Sequence, residues 1–506
     1  GGLGIEKDLD RIVALLARAA GRLEAAFAAL APEERKTLLA SPWKEPDEEK
    51  PPPGLLLAAK VDFKSLIASA GMLAALADPT CLEPLRQDLE KAWEAAGRPE
   101  GTFLERNTPY GKILVSGKGD SWHTEDAAVI LDLGGDDFYT NNAGSSRVEK
   151  GMPLGILIDF AGDDAYEASF DGAQACGRMG VGLLADLAGN DSYIALDGAQ
   201  GAGLLGVGML LDAAGDDTYR AQECAQGYAQ WGVGLLMDGA GSDRYDGHLF
   251  VQGVGTPGGL GALIDRAGDD RYYAKGKHQT SYGNPGIFEG LSQGCGFGLR
   301  GFASGGIGVL IDSAGADRYE AGTFSQGGGY FFGWGLLRDR AGDDVFVATH
   351  YGQGFSAHQA GGCFEDLAGN DRYSTRKCAA QGLAWDESVA YFLDAAGDDR
   401  YEGGMLFSQG AAAHNSFALF LDAGGRDTYR YAPGPAETRQ NDYHGGGGNL
   451  GIWIDAGNRA DNDTTRMPKV EHGRILGMPP QGVCADIPLS VDEALRDGAF
   501  RAFVRP

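Results

Sequence analysis

Aspartates recur through this chain in a frame that suits cation chemistry. In LDAAGDDTY (211–219), Asp212 is followed three positions on by a glycine, five on by Asp217 and seven on by Tyr219. The same frame opens at Asp132, Asp159, Asp186, Asp238, Asp265, Asp312, Asp339, Asp366, Asp394 and Asp422. Its second aspartates are then Asp137, Asp164, Asp191, Asp243, Asp270, Asp317, Asp344, Asp371, Asp399 and Asp427. Stacked coil upon coil, like charges near 5 Å repel by about 1 kcal/mol at the dielectric of water and about 3 at an effective value of 20. Something must neutralise such a column. A hard cation held by carboxylates and turn carbonyls would do so, and calcium accepts irregular oxygen shells more readily than magnesium. The alternative is that each aspartate accepts backbone N–H groups in an Asx-type turn.

The elements that position these residues follow from the repeat. Successive leading aspartates lie 26 to 28 residues apart, except between Asp265 and Asp312, where an insertion around 273–300 lengthens one coil. The residues just before each leading aspartate are apolar, as at Leu183–Leu184, Val309–Leu310 and Leu419–Phe420, and read as a strand. A second strand carries the aromatic, and a third lies near a recurrent Gln-Gly (Gln200, Gln226, Gln252, Gln293, Gln326, Gln353, Gln381, Gln409). One such unit matches a coil of a right-handed parallel β-helix, and the repeats predict about 12 coils, the last an eroded copy at Asp455. Stacked glutamine amides bonding to one another, and a column of stacked tyrosines, are the expected internal ladders.

The AGDDTY-like phrase resembles the second half of the haemolysin-type (RTX) calcium nonapeptide, over roughly residues 130–430. The resemblance implies calcium at the second aspartates, such as Asp164, Asp191 and Asp217. The chain departs from that pattern: a leading aspartate and a variable residue replace the two opening glycines, and the period is about 27 residues.

Three domains are expected: a helical region over 1–100 serving as a cap or interaction arm, the solenoid over 101–465, and a cap or tail over 466–506. Apolar residues at three- and four-residue steps in 8–30 predict a helix, and the proline-rich stretch 42–53 a linker. In the first strand of each coil both side-chain parities are apolar, as in Ile156–Leu157–Ile158, which predicts a cover on both faces by the helices or by a second copy of the chain.

A formal charge of −28, from 71 acidic and 43 basic residues, excludes nucleic acid and anionic membrane surfaces as partners, and no 18-residue apolar run predicts a membrane span. The seven cysteines form no CxxC pair and read as small buried side chains. No serine-hydrolase, zincin, phosphate-loop or dinucleotide signature occurs in a suitable context. Where unusual residues interrupt the ladders, His358, Trp385 and His414 follow Gln353, Gln381 and Gln409 by four or five positions, with Asp386, Glu387, His350 and His444 nearby. This set suits acid–base work on a saccharide or a transition-metal patch. The expected function is an exported, calcium-binding solenoid with a structural, adhesive or surface-assembly role, placed outside the cell, on its surface or in the periplasm. The alternative is a carbohydrate-active β-helix enzyme, a polysaccharide lyase or hydrolase. Expected partners are a second copy, another protein or a polysaccharide.

Overall fold

A computed structural model describes residues 2–40, 54–404, 406–430 and 448–457, with the short pieces 436, 438–439, 475–478 and 482–487. The expected linker at 42–53, His444 and most of the 466–506 tail lie outside the described residues. The chain is mainly β, 16% helical, and forms a parallel β-solenoid of about 12 turns with an N-terminal helical region. It divides into two compact units, Gly1–Arg266 with Leu299–Ala303, and Ala267–Gly298 with Ser304–Pro506.

The first unit opens with the helices Gly2–Ala26, Pro32–Leu39, Phe63–Ala74 and Pro79–Ala95. Their starts are set locally: the Asp62 carboxylate accepts the N–H groups of Lys64 and Ser65, and Asp78 accepts that of Thr80 with Pro79 at the first helical position. Ile5, Leu9, Ile12, Leu16 and Leu23 form one buried stripe. The stripe belongs to a core that also contains Ile156, Ile158, Leu183, Val207 and Met209. The helices therefore lie on the outward parity of the first-strand sheet and supply its second cover. No single described helix is long and apolar enough to cross a membrane.

After an antiparallel pair, Thr102–Thr108 with Gly111–Ser116, the strands Val129–Asp132, Leu154–Asp159, Val181–Asp186 and Val207–Asp212 pair in parallel, each shifted by one coil. This register sets Asp132, Asp159, Asp186 and Asp212 over one another. A second ladder aligns Tyr139, Tyr166, Tyr193, Tyr219 and Tyr245. The second unit repeats the scheme: Trp334–Asp339, Gly361–Asp366, Val389–Asp394, Phe417–Asp422 and Leu450–Ala456 carry Asp339, Asp366, Asp394, Asp422 and Asp455 in register.

From Gln200 to Gln409 the coils turn at Gln-Gly, where both residues are left-handed: Gln226 has φ 56° and Gly227 φ 76°. A non-glycine residue there costs about 1–2 kcal/mol, so the side chain must earn its place. Gln226 Nε2 does so by donating to the carbonyls of Tyr219 and Asp246, each at 3.1 Å, tying two coils together. The amide-to-amide ladder expected from the sequence forms in the last coils, where Gln381 donates to Gln353 and Gln409 to Gln381, both at 3.1 Å. In earlier coils the glutamines bond to main-chain carbonyls instead, as Gln200 does to those of Tyr193 and Arg220.

Candidate metal centre

Each acidic turn starts where the first strand ends. The leading aspartate is fully buried, and its two oxygens do different work. Asp159 Oδ1 accepts the N–H of Ala161 at 3.1 Å and Asp212 Oδ1 that of Ala214 at 3.2 Å, closing Asx turns. The Oδ2 atom accepts the phenol of the preceding coil: Tyr166 to Asp186, Tyr193 to Asp212 and Tyr219 to Asp238, all at 2.6 Å. The tyrosine rings stack at 4.7–4.8 Å, the pitch of the strands that carry them. In the second unit Phe346 occupies this column without a hydroxyl, and Asp366 accepts from Tyr373 of its own coil at 2.8 Å.

The second aspartate points its Oδ1 at the backbone of the coil before. Asp164 accepts the N–H of Asp137, and Asp191 that of Asp164, both at 2.6 Å; Asp344 accepts that of Asp317 at 2.6 Å. Between the two aspartates runs an exposed column that the sequence reading did not single out. There Asp163 Oδ1 accepts the N–H of Asn190 at 2.8 Å and Asn190 Oδ1 that of Asp216 at 2.9 Å. The signal for it was the recurrence of Asp or Asn one position before the second aspartate. Side chains thus take over the last two rungs of the turn, while the glycine N–H groups keep main-chain bonds to the next coil, Gly162 to the Ala188 carbonyl at 2.9 Å and Gly189 to that of Ala214 at 3.1 Å, and the glycine backbones lie in close contact. A Cβ on Gly189 would lie 1.6 Å from the Gly162 carbonyl oxygen, so only glycine fits.

One oxygen per turn is left over. The Oδ2 atoms of Asp137, Asp164, Asp191, Asp217, Asp317, Asp344, Asp371 and Asp399 are buried and have no hydrogen-bond partner among the described residues. Each sits beside leading carboxylates. Asp137, Asp159 and Asp164 each offer an oxygen within 4.8 Å of the others, and so do Asp164, Asp186 and Asp191, then Asp191, Asp212 and Asp217, then Asp217, Asp238 and Asp243, with further groups of this kind along the chain. Burial, with the neighbouring carboxylates adding to it, pushes Asp191 up to about 8, Asp217 to about 9 and Asp344 to about 9. Asp399 rises to about 10 for the same reasons. Two buried carboxylates per turn therefore demand either a proton or a cation. The donor set fits a hard cation: the atoms are carboxylate oxygens, they converge, and a doubly charged ion matches two carboxylates per turn.

The column begins with a coil that the sequence frame did not reveal. Ser116 pairs in register with Asp132, Ser121 donates its N–H to Asp137 Oδ1 at 2.5 Å, and His123 stacks on Tyr139 at 4.6 Å. His123 Nε2 lies 2.8 Å from Asp132 Oδ2, where later coils place a phenol, and joins Asp132 and Asp137 as a further three-residue group. Serines take both aspartate positions, so the array starts on an uncharged rung.

The histidine set lies on one bend of the second unit. The register that aligns Ala357, Trp385 and Ala413 puts His358, Asp386 and His414 on successive coils. The Asp386 carboxylate is clamped between the two imidazoles, 2.7 Å from His358 Nδ1 and bonded through its other oxygen to His414 Nδ1. Trp385 lies 4.3 Å from the His414 ring, and Gln359 Nε2 donates to Glu387 at 2.6 Å. His350 makes other contacts: Nδ1 is 3.4 Å from Cys378 Sγ, Nε2 is 3.4 Å from Asn284 Nδ2, and burial lowers its basicity. The described cysteines form no disulfide. No protein family, curated protein or solved structure matches the chain, whose description therefore rests on a β-solenoid with buried aspartates in repeated groups.

Proposed function

We propose that this protein is an exported, RTX-like solenoid scaffold, with a structural, adhesive or surface-assembly role, whose acidic turns are filled by calcium. The observation that carries the reading is the column of buried, partnerless Oδ2 atoms set beside leading carboxylates. Leading and second aspartates, from Asp132 and Asp137 to Asp422 and Asp427, would hold the ions. Calcium supplies two positive charges per turn, which cancel the two buried carboxylates. Magnesium fits less well, because it keeps several waters in a near-octahedral shell and the paired aspartates of these turns are almost fully buried. On this reading the protein works where calcium is about 10⁻⁴–10⁻³ M, the range of extracellular modules: outside the cell, on its surface or in the periplasm.

The reading as a polysaccharide lyase or hydrolase is less well supported. Glycoside hydrolysis needs two carboxyl groups facing each other across a sugar, whereas Asp386 is held by two imidazoles and Glu387 by Gln359. The test is a thermal melt of dialysed protein with calcium and with excess EGTA at pH 7.5. A fall of many degrees in chelator is expected; superimposable curves would remove calcium from the account.

A further inference from the structure

We infer that the outer face of the first-strand sheet in the second unit is the interface through which two copies of this chain associate. Along these strands the burial alternates strictly, inner residues buried and outer ones exposed or half-buried. Ile307 is 45% exposed and Val389 54%, with Trp334, Phe417 and Leu450 also exposed in the same row. The two rows behind are half-buried and apolar apart from Arg338 and Glu365, which pair with each other at 2.5 Å, and the small Gly361 lies under the Trp334 ring. In the first unit the corresponding Val181 and Val207 are 0% and 2% exposed, because the helix Phe63–Ala74 packs on their strands. The same apolar pattern is therefore covered where the helix packs, at Val181 and Val207, and open where no described helix reaches: at Leu260, 41% exposed in the first unit, and along the strands of the second.

Three observations select a second copy as the cover. The chain carries −28, so most approaches of one copy to another meet like charge, whereas this face has no net charge. Six strands at about 4.8 Å pitch, each with three outward residues about 6.8 Å apart, present about 500–600 Å² per copy, and the two faces together come to about 1,000–1,200 Å², at the lower edge of a specific interface. A second copy also brings side-chain rows of identical pitch, so two such faces interdigitate along their whole length, about 10 Å apart, in an isologous pair. The inference does not depend on calcium and stands or falls apart from the function proposed above.

The experiment is light scattering coupled to gel filtration on the full chain at micromolar concentration, with calcium present. The wild type is expected at twice the chain mass of 53.1 kDa. Val389→Glu with Phe417→Glu should elute as a monomer with an unchanged melting curve and weaken self-association at least about 100-fold. If the glutamates unfold the coil, Val389→Thr with Phe417→Thr keeps the strand propensity and should still weaken the dimer. A monomeric wild type that binds a hydrophobic dye would hand the face to a different protein and overturn the inference. A double variant that remains dimeric would overturn it as well.

Discussion

Two polar columns run through the same coils, one at the acidic turn and one at the Gln-Gly bend, and they solve burial differently. The glutamines bridge coils by donating to carbonyls or to the next amide, and the oxygens left over, such as those of Gln200 and Gln226, are neutral. The aspartates also bridge coils, through backbone N–H groups and phenols, but the oxygen each second aspartate has left over belongs to a charged group. An unpaired buried amide oxygen costs about 1–3 kcal/mol, while an unpaired buried carboxylate costs several and answers by taking up a proton or an ion. The lesson is that stacking alone does not make a column sensitive to solution conditions. Charge does, and only one of the two columns carries it.

The largest expected effect separates the columns by pH. Without metal, the second aspartates have folded-state pKa values raised to about 7–10 from an unfolded value near 4. A group raised in this way lends stability that is fully present below the unfolded value and is lost as pH climbs through the folded one. In EGTA the melting temperature should therefore fall from just above pH 4 to about pH 10, by 20 °C or more when roughly ten turns each lose about 1 kcal/mol per pH unit. With calcium the curve should stay nearly flat. Calorimetry across that range checks it, and a chelated protein that gains stability toward alkaline pH would break the contrast.

A smaller effect, confined to one rung, comes from Asp191. Asp191→Ala removes the acceptor of the Asp164 N–H and should cost about 3 kcal/mol or more in calcium. Asp191→Asn keeps an acceptor and loses the charge. It should destabilise in calcium but stabilise in EGTA at pH 9, and denaturant titrations in both buffers read the change of sign. Tyr193→Phe removes a phenol from Asp212 and should cost about 1.5–3 kcal/mol; the chain already tolerates Phe346 in this column. Gln226→Ala is the smallest, about 1–2 kcal/mol, and should be the same with or without calcium and at pH 5 or 9. A calcium-dependent penalty for Gln226→Ala would erase the distinction between the columns.

Much of the fold was legible because one spacing repeats. A frame with a leading aspartate, a glycine, a second aspartate and an aromatic can stack only one coil at a time, which placed Asp186, Asp191 and Tyr193 in separate columns. Which oxygen meets which donor was not legible. The Tyr166 phenol reaches the leading aspartate of the next coil, Asp186, and that depends on ring tilt and coil pitch rather than on local sequence. The opening rung escaped notice because Ser116, Ser121 and His123 keep the spacing and lose the chemistry. The helical cover shows the same limit. Ile156–Leu157–Ile158 and Val309–Leu310–Ile311 are alike in sequence, yet the first is buried on both faces and the second on one. A strand encodes that it can be covered, and what covers it is decided elsewhere in the chain.

The most direct test of the central claim is a calcium count on protein stripped with chelator, returned to calcium at pH 8 and dialysed at fixed free ion, with released protons followed by pH-stat. The account predicts several ions per chain, approaching one per acidic turn, and proton release as they bind. Less than one ion per chain, with no protons released, would contradict it and leave the aspartate columns held by shared protons alone.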